Sequence, residues 1–87
     1  MEKNVTIVNK LGIHVRPAAQ MAELANKFKA NIIITKNNYA VNAKSIMELL
    51  TLAAGQGTVL TLKADGDDAG QALESLEKLI GNKFNED

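Results

Sequence analysis

The only proline of the chain, Pro17, constrains the fold most strongly because it marks the start of a helix. Proline has a fixed φ angle and no backbone N–H, and both properties suit the first turn of a helix. Helical spacing of apolar residues continues to about Lys29, at Ala18, Met21, Leu24, Ala25 and Phe28. The only histidine and the only arginine, His14 and Arg16, therefore lie at the amino end of this helix.

The rest of the chain combines short strand patterns with two further helical patterns. Residues 58–64 alternate between apolar and polar side chains, as in a half-buried strand, and Asn37-Asn38 is typical of a hairpin turn. The predicted strands cover residues 5–8, 31–35, 39–41 and 58–64, and the predicted helices cover residues 17–29, 45–54 and 68–80. Asp67 or Asp68 is the predicted cap of the last helix. The order β-α-β-β-α-β-α predicts an α+β fold with helices on one face of an antiparallel sheet.

Composition narrows the class of protein. Eighty-seven residues predict a single domain, 1–87, and the absence of cysteine excludes disulfides and thiol chemistry. With no apolar run long enough for a membrane span or a signal peptide, we expect a cytoplasmic protein. One histidine without cysteine cannot build a zinc site, so we predict neither a metal nor a cofactor. Residues 1–44 carry seven basic and two acidic groups, which favours phosphorylated or acidic partners.

The surroundings of His14 suit a nucleophile that attacks phosphorus. A neutral imidazole has one nitrogen lone pair available for that attack. The negative charge of the resulting phosphohistidine is stabilised by the backbone N–H groups of a helix N-terminus and by the guanidinium of Arg16. A lone histidine at a helix start is more often a surface residue or a cap, so the remaining sequence has to decide between these interpretations.

The segment Leu11–Ala18 resembles the active-site segment of HPr, the histidine-containing phosphocarrier family of the bacterial phosphotransferase system. A second segment, 41–47, lies at the spacing that the family shows, and the resemblance covers essentially the whole chain. It implies an open-faced β-sandwich, a four-stranded antiparallel sheet with three helices on one face. It also implies that phospho-enzyme I, charged by phosphoenolpyruvate, phosphorylates His14 on Nδ1. By the same resemblance Arg16 steadies the phosphoryl group and Pro17 starts the helix.

The resemblance implies a carrier and not an enzyme. Phosphate passes from the carrier to enzyme IIA components in carbohydrate uptake, and the catalysis belongs to these partners. Val15 departs from the alanine that the family usually has between the histidine and the arginine. Its two additional methyl groups are expected to narrow partner docking without removing the chemistry.

Ser45 has two predicted roles. Ser45 and Glu48 fit the capping-box pattern, in which the serine caps the second helix. The resemblance adds that HPr kinase/phosphorylase phosphorylates the matching serine in many family members, which makes it a regulatory site. Glu48 departs from the glycine that is common there in the regulated proteins, and its charge is expected to weaken recognition by the kinase.

The second helix has more apolar residues than one buried stripe requires, and exposed apolar clusters commonly mark partner surfaces. The resemblance implies a partner-binding set of five residues, namely Val15, Ala19, Ile46, Met47 and Leu50. Leu49 and Leu52 are expected to face the core. We expect a monomer that binds no nucleic acid and does not insert into membranes.

Three other interpretations remain open from the sequence. Residues 9–12 and 84–87 look like the nitrogen-branch version of HPr, which signals without feeding sugar uptake, whereas residues 44–47 look like the sugar branch. A small nucleic-acid-binding α+β module is less favoured, because few aromatic side chains are available for stacking and no base-reading motif is present. A catalytic domain with His14 as general base lacks a nucleophile or acid pair of recognisable spacing.

Overall fold

The computed structural model describes residues 1–85 and has the predicted element order. The strands are β1 (Glu2–Thr6), β2 (Asn31–Lys36), β3 (Tyr39–Asn42) and β4 (Val59–Asp65). The helices are α1 (Val15–Ala25), α2 (Ile46–Leu50) and α3 (Ala69–Gly81), followed by a 3₁₀ turn at Lys83–Asn85. Glu86 and Asp87, which belong to the C-terminal segment singled out in the sequence, lie outside the described residues.

The four strands form one antiparallel sheet in the order β1-β4-β2-β3. The register pairs Ile34 with Leu62 and Val5 with Leu60, so the apolar alternates of neighbouring strands share one face. That face is buried, and Ile34, Leu60 and Leu62 are completely inaccessible to solvent. The predicted α+β open-faced sandwich is therefore confirmed.

The core lies between this sheet face and the three helices. Each helix contributes fully buried side chains, such as Met21 from α1, Leu49 from α2 and Leu76 from α3. Burial of one such side chain stabilises the fold by about 1.5–3 kcal/mol. The opposite sheet face is largely polar, and there Thr61 donates a hydrogen bond to the Oδ1 of Asn4 at 2.9 Å. No helix within residues 1–85 has the length and apolar character needed to cross a bilayer.

Two predicted element boundaries were wrong at the start of the chain. β1 covers residues 2–6 and not 5–8, because Ile7 pairs with the loop before β4 through bonds to Thr58 and Gly57. α1 ends at Ala25, four residues before the predicted end. There the amide of Asn26 donates to the carbonyl of Ala22 at 2.7 Å, and the next two N–H groups bond three residues back, which tightens the helix into a turn.

The second helix is shorter than predicted and ends at Leu50 instead of Ala54. The hydroxyl of Thr51 donates to the carbonyl of Glu48 at 2.5 Å, and the Thr51 N–H bonds to the same carbonyl. Ala53 then adopts a left-handed conformation with φ of 51°, which turns the chain away from the helix axis. The apolar spacing beyond residue 50 reflects burial in a loop and not a continued helix.

Asp68 is the N-cap of α3, but its side chain does not cap that helix. Its two carboxylate oxygens instead accept hydrogen bonds from the backbone N–H groups of Lys29 and Ala30, at 2.9 and 2.8 Å. The N–H of Lys29, together with that of Ala30, holds the pKa of Asp68 below its ordinary value. Asp68 therefore connects the start of α3 to the start of β2.

Candidate functional site

His14 is the N-cap of α1. Its backbone is extended, with φ of −106° and ψ of −164°, and its carbonyl accepts the N–H of Ala18 at 3.0 Å. The N–H groups of Val15 and Arg16 belong to the first turn and have no acceptor within the helix. The helix begins at Val15, two residues earlier than predicted, so Pro17 is its third residue. The missing N–H of Pro17 still falls in the first turn, as predicted. The half-buried imidazole thus stands beside the positive end of a helix.

The loop before His14 is fixed by contacts with the loop after α2. Ile13 donates its N–H to the carbonyl of Ala54 at 2.9 Å. Gly12 has a φ of 68°, and a Cβ at that residue would lie 2.3 Å from the same oxygen, so only glycine allows this approach. The amide of Asn9, which is completely buried, donates to the carbonyl of Gly12 at 2.8 Å. The backbone that presents His14 is therefore held on both sides.

Val15 and Arg16 project from the first turn of α1 into solvent. Val15 is 65% exposed, so its branched side chain forms part of the surface around His14. Within residues 1–85 the guanidinium of Arg16 forms no hydrogen bond or ion pair. Its charge lies two residues from His14, and guanidinium geometry matches the oxygens of a phosphoryl group.

Ser45 is the N-cap of α2 and forms the first half of the predicted capping box, because its Oγ accepts the N–H of Glu48 at 3.2 Å. The second half differs from the prediction. The carboxylate of Glu48 accepts the N–H of Asn42 at 3.0 Å, and the N–H of Ser45 is taken by the Asn42 carbonyl. The carboxylate of Glu48 is thus held near the N-terminal turn of α2, one turn from Ser45.

The apolar residues of α2 divide between surface and core. Met47 is 78% exposed and Ile46 is 41% exposed, whereas Leu50 is half-buried and packs against the core. Leu49 and Leu52 are buried, as expected. On α1, Ala19 is half-buried. The exposed apolar side chains of these two helices are therefore Met47 and Ile46 on α2 and Val15 on α1.

His14 and Ser45 lie at opposite ends of the α1–α2 pair. The start of α1 contacts Ala54, just after α2, and the end of α1 contacts Lys44, just before α2, through the amide of Asn26 at 3.1 Å. An 11-residue helix is roughly 16 Å long. The structure therefore keeps the two predicted phosphorylation sites apart.

Sequence reasoning missed the residues that fix the loop around His14 from outside it. Ala54 and Gly55 approach the loop before His14 only in the folded chain, and no motif marks them. The turn glycine, Gly12, was the one available signal, because an obligatory positive φ indicates a backbone in close contact. No cluster of potential metal ligands exists within residues 1–85.

Comparison with known proteins finds relatives that match nearly the whole chain. A family model described as the phosphorylation site of the HPr component of the PTS matches residues 1–82. The phosphocarrier protein HPr of Xylella fastidiosa strain Temecula1 is 42% identical over 87 residues, which cover 100% of this chain and 98% of that protein. The phosphocarrier protein NPr of Shewanella violacea is 42% identical over 86 residues, covering 99% of this chain and 94% of that protein.

Solved structures show the same similarity. HPr-C-His from Thermoanaerobacter tengcongensis superimposes with a TM-score of 0.96 at 45% identity, covering 100% of this chain and 98% of that one. An HPr dimer from the same organism superimposes with a TM-score of 0.80 at 46% identity, covering 97% and 99%. These similarities extend over the whole chain and include the segment that contains His14.

Proposed function

The chain belongs to the HPr family of phosphocarrier proteins, and from this premise we propose that His14 accepts a phosphoryl group from phospho-enzyme I and passes it to an enzyme IIA component. The observation that carries the proposal is the placement of the only histidine as N-cap of α1, with Arg16 exposed in the first turn. The protein would then be a carrier whose reactions are catalysed by its partners.

The proposed transfer is a reversible exchange of one bond to phosphorus. The lone pair on Nδ1 of His14 forms the new N–P bond while the bond from phosphorus to the donor breaks, and Nε2 keeps its hydrogen. The phosphoryl oxygens would be met by the N–H groups of Val15 and Arg16 and by the guanidinium. Transfer to enzyme IIA is the same exchange in reverse, so water takes no part in either step.

A reconstituted relay tests this proposal. The full chain is incubated with enzyme I, labelled phosphoenolpyruvate and an enzyme IIA, and label on enzyme IIA is measured over time. We expect labelled enzyme IIA with the native chain and none with His14→Ala. Equal labelling with the two chains would overturn the proposal, since the histidine would then not be on the transfer route.

The sugar branch is the proposed route, and the nitrogen branch is the second candidate. Lys44-Ser45-Ile46-Met47 resembles the sugar-branch proteins, and Met47 and Ile46 are exposed as a docking surface requires. Identity does not separate the branches, because the HPr and the NPr relative are both 42% identical to this chain. Parallel relay assays with sugar-type and nitrogen-type enzyme IIA decide between them, and faster transfer to the nitrogen type would select the second candidate.

Ser45 is the proposed regulatory site for HPr kinase/phosphorylase. A phosphate at a helix N-terminus is electrostatically tolerated, so the fold can accept it. The nearby carboxylate of Glu48 opposes it, since the hydrogen bond from Asn42 keeps that charge close. Incubation with an HPr kinase and ATP, followed by mass spectrometry, is expected to show phosphate on Ser45 and faster modification of Glu48→Gly. An unmodified Ser45 in both chains would contradict the regulatory role.

The proposal places the carrier in the cytoplasm as a monomer, where it meets enzyme I and enzyme IIA in turn. Its docking surface is the set Val15, Ala19, Ile46, Met47 and Leu50. Exchange of Met47 for a charged residue is expected to slow transfer from phospho-enzyme I while leaving the unfolding midpoint unchanged, because this side chain is 78% exposed. Unchanged transfer would remove Met47 from the docking surface. Sedimentation at working concentrations tests the oligomeric state.

A further inference from the structure

Lys36, the last residue of β2, is bound to the segment that follows α2. Its Nζ donates to the carbonyl of Leu52 and to that of Ala53, each at 3.1 Å. The last turn of α2 contains no basic residue of its own. Lys36 therefore supplies, from another element, a cation that binds the carbonyls of the segment after this helix.

The two carbonyls bracket a residue in an unfavourable conformation. Ala53 has a φ of 51°, and an alanine in the left-handed region brings its Cβ close to the following carbonyl oxygen. The bonds from Lys36 are charge-assisted and engage the peptide groups on both sides of Ala53. The ammonium thus opposes the return of Ala53 to a right-handed conformation.

The next residue connects this segment to the phosphoryl-accepting loop. The carbonyl of Ala54 accepts the N–H of Ile13 at 2.9 Å and lies against Gly12. A change in the φ and ψ angles of Ala53 would reorient the peptide group that joins it to Ala54, and the carbonyl of Ala54 would move with it. Ile13 would then lose its acceptor directly before His14.

From these contacts we infer that Lys36 is a positioning residue for His14: its ammonium holds residues 52–54 in the conformation that fixes Gly12 and Ile13, and thereby the imidazole. The inference rests on the proposed function of His14. Lys36 itself touches no phosphoryl group, so it acts through the backbone and not on the reaction.

The first test compares Lys36→Met with Lys36→Arg, using Lys63→Met as the matched control. Lys63 is an exposed strand lysine whose ammonium forms no hydrogen bond or ion pair within residues 1–85. A small displacement of a reacting group can cost up to about 10²-fold in rate. With phospho-enzyme I as donor we expect kcat to fall about tenfold in Lys36→Met, with KM within about twofold of native because the docking surface is intact. Lys36→Arg restores the charge and most of kcat, and Lys63→Met behaves as native.

A second test separates positioning from loss of overall stability. Glycine adopts the left-handed region without strain, so Ala53→Gly removes the conformational preference that Lys36 opposes. In the Ala53→Gly background, Lys36→Met is expected to lose less than about twofold in kcat. Equal loss in both backgrounds would overturn the inference, and so would an unchanged kcat in Lys36→Met.

An independent readout keeps this inference separable from the proposed function. Amide hydrogen exchange of Ile13 is measured in the unphosphorylated chain, and we expect faster exchange in Lys36→Met than in native or Lys63→Met. If the native chain accepts no phosphate from phospho-enzyme I, the proposed function fails whatever Ile13 does. If the native chain is phosphorylated but Ile13 exchange is unaffected by Lys36→Met, the positioning role alone fails.

Discussion

At the scale of single residues, the first turn of α1 gives His14 and Arg16 different tasks. His14 is half-buried and its backbone is fixed by the contacts of Gly12 and Ile13, whereas Arg16 is exposed and has no partner among the described residues. A side chain without partners contributes little to the stability of the fold. A substitution of Arg16 is therefore expected to change phosphoryl transfer without changing the stability of the fold.

Arg16→Ala is expected to slow phosphoryl transfer to His14 by about 10²-fold, the usual cost of removing one donor to a developing charge. Arg16→Lys retains the charge but loses the paired donors, so an intermediate rate is expected. The rates of both variants are measured with phospho-enzyme I as the donor. Thermal unfolding should show the same midpoint in the native chain and in the two variants. A fall in midpoint equal to that of a core substitution would mean that Arg16 has a structural role instead.

Gly12→Ala is expected to destabilise the fold by at least about 2 kcal/mol, because the new Cβ meets the Ala54 oxygen in addition to the strain of a positive φ. Gly57→Ala is the matched control. Gly57 also has a positive φ, of 89°, but nothing lies within 4 Å of its Cβ, so only the conformational cost of about 1 kcal/mol applies. Urea unfolding of the two variants measures the difference, and equal losses would contradict the close approach of Ala54.

At the scale of elements, side chains from one element complete the ends of another. Asp68 at the start of α3 bonds the N–H groups that lead into β2, and Lys36 at the end of β2 bonds the carbonyls that follow α2. Buried backbone groups at element ends need such partners, since the element itself cannot provide them. These bonds give the short helix α2 an environment that its five residues could not maintain alone.

Asp68 makes stability depend on pH in the acidic range. The pKa of Asp68 in the folded chain is lowered by the N–H of Lys29 and that of Ala30, while an unfolded chain has the ordinary value of 3.8. The hydrogen bonds of Asp68 therefore make their full contribution to the free energy of unfolding above the unfolded pKa. That contribution is lost as the pH falls through the lower pKa of the folded chain. At pH 7 we expect the native chain to have a larger free energy of unfolding than Asp68→Asn. In acid the difference between the two chains should become smaller.

The neighbouring Asp67→Asn is the control for this pH dependence, because the Asp67 carboxylate accepts no hydrogen bond within residues 1–85. Urea unfolding at a series of pH values gives the stability difference of each variant from native. An Asp68→Asn difference that is constant with pH, or one that Asp67→Asn reproduces, would contradict the assignment of the pH dependence to the bonds of Asp68.

At the scale of the whole molecule, alternation and helical spacing were sufficient to predict the sheet and its helix-covered face. The buried alternates Leu60 and Leu62 appear in the sequence as a strict period of two, and such a period has one structural meaning. The bounds of β1 were predicted wrongly because Ile7 bonds to the loop before β4, and the ends of α1 and α2 because the side chains of Asn26 and Thr51 bond back to the preceding turn. Apolar spacing does not reveal such bonds, and the contact of Lys36 with a segment 16 residues away leaves no local pattern either.

The candidate site was also predictable only in part. Pro17 and Gly12 mark a helix start and a turn from the sequence alone, which located His14 and Arg16. The approach of Ala54 to that turn and the strain at Ala53 were not predictable, because alanine has no preference for the left-handed conformation and only the fold imposes it.

We propose above all that His14 of this folded chain is the residue that carries the phosphoryl group. Mass spectrometry of the intact chain after incubation with enzyme I and phosphoenolpyruvate tests it most directly, with His14→Ala alongside. We expect a gain of one phosphoryl group on the native chain, lost on brief acid treatment as an N–P bond requires, and no gain on His14→Ala. An acid-stable phosphate, or a phosphate that persists in His14→Ala, would contradict it.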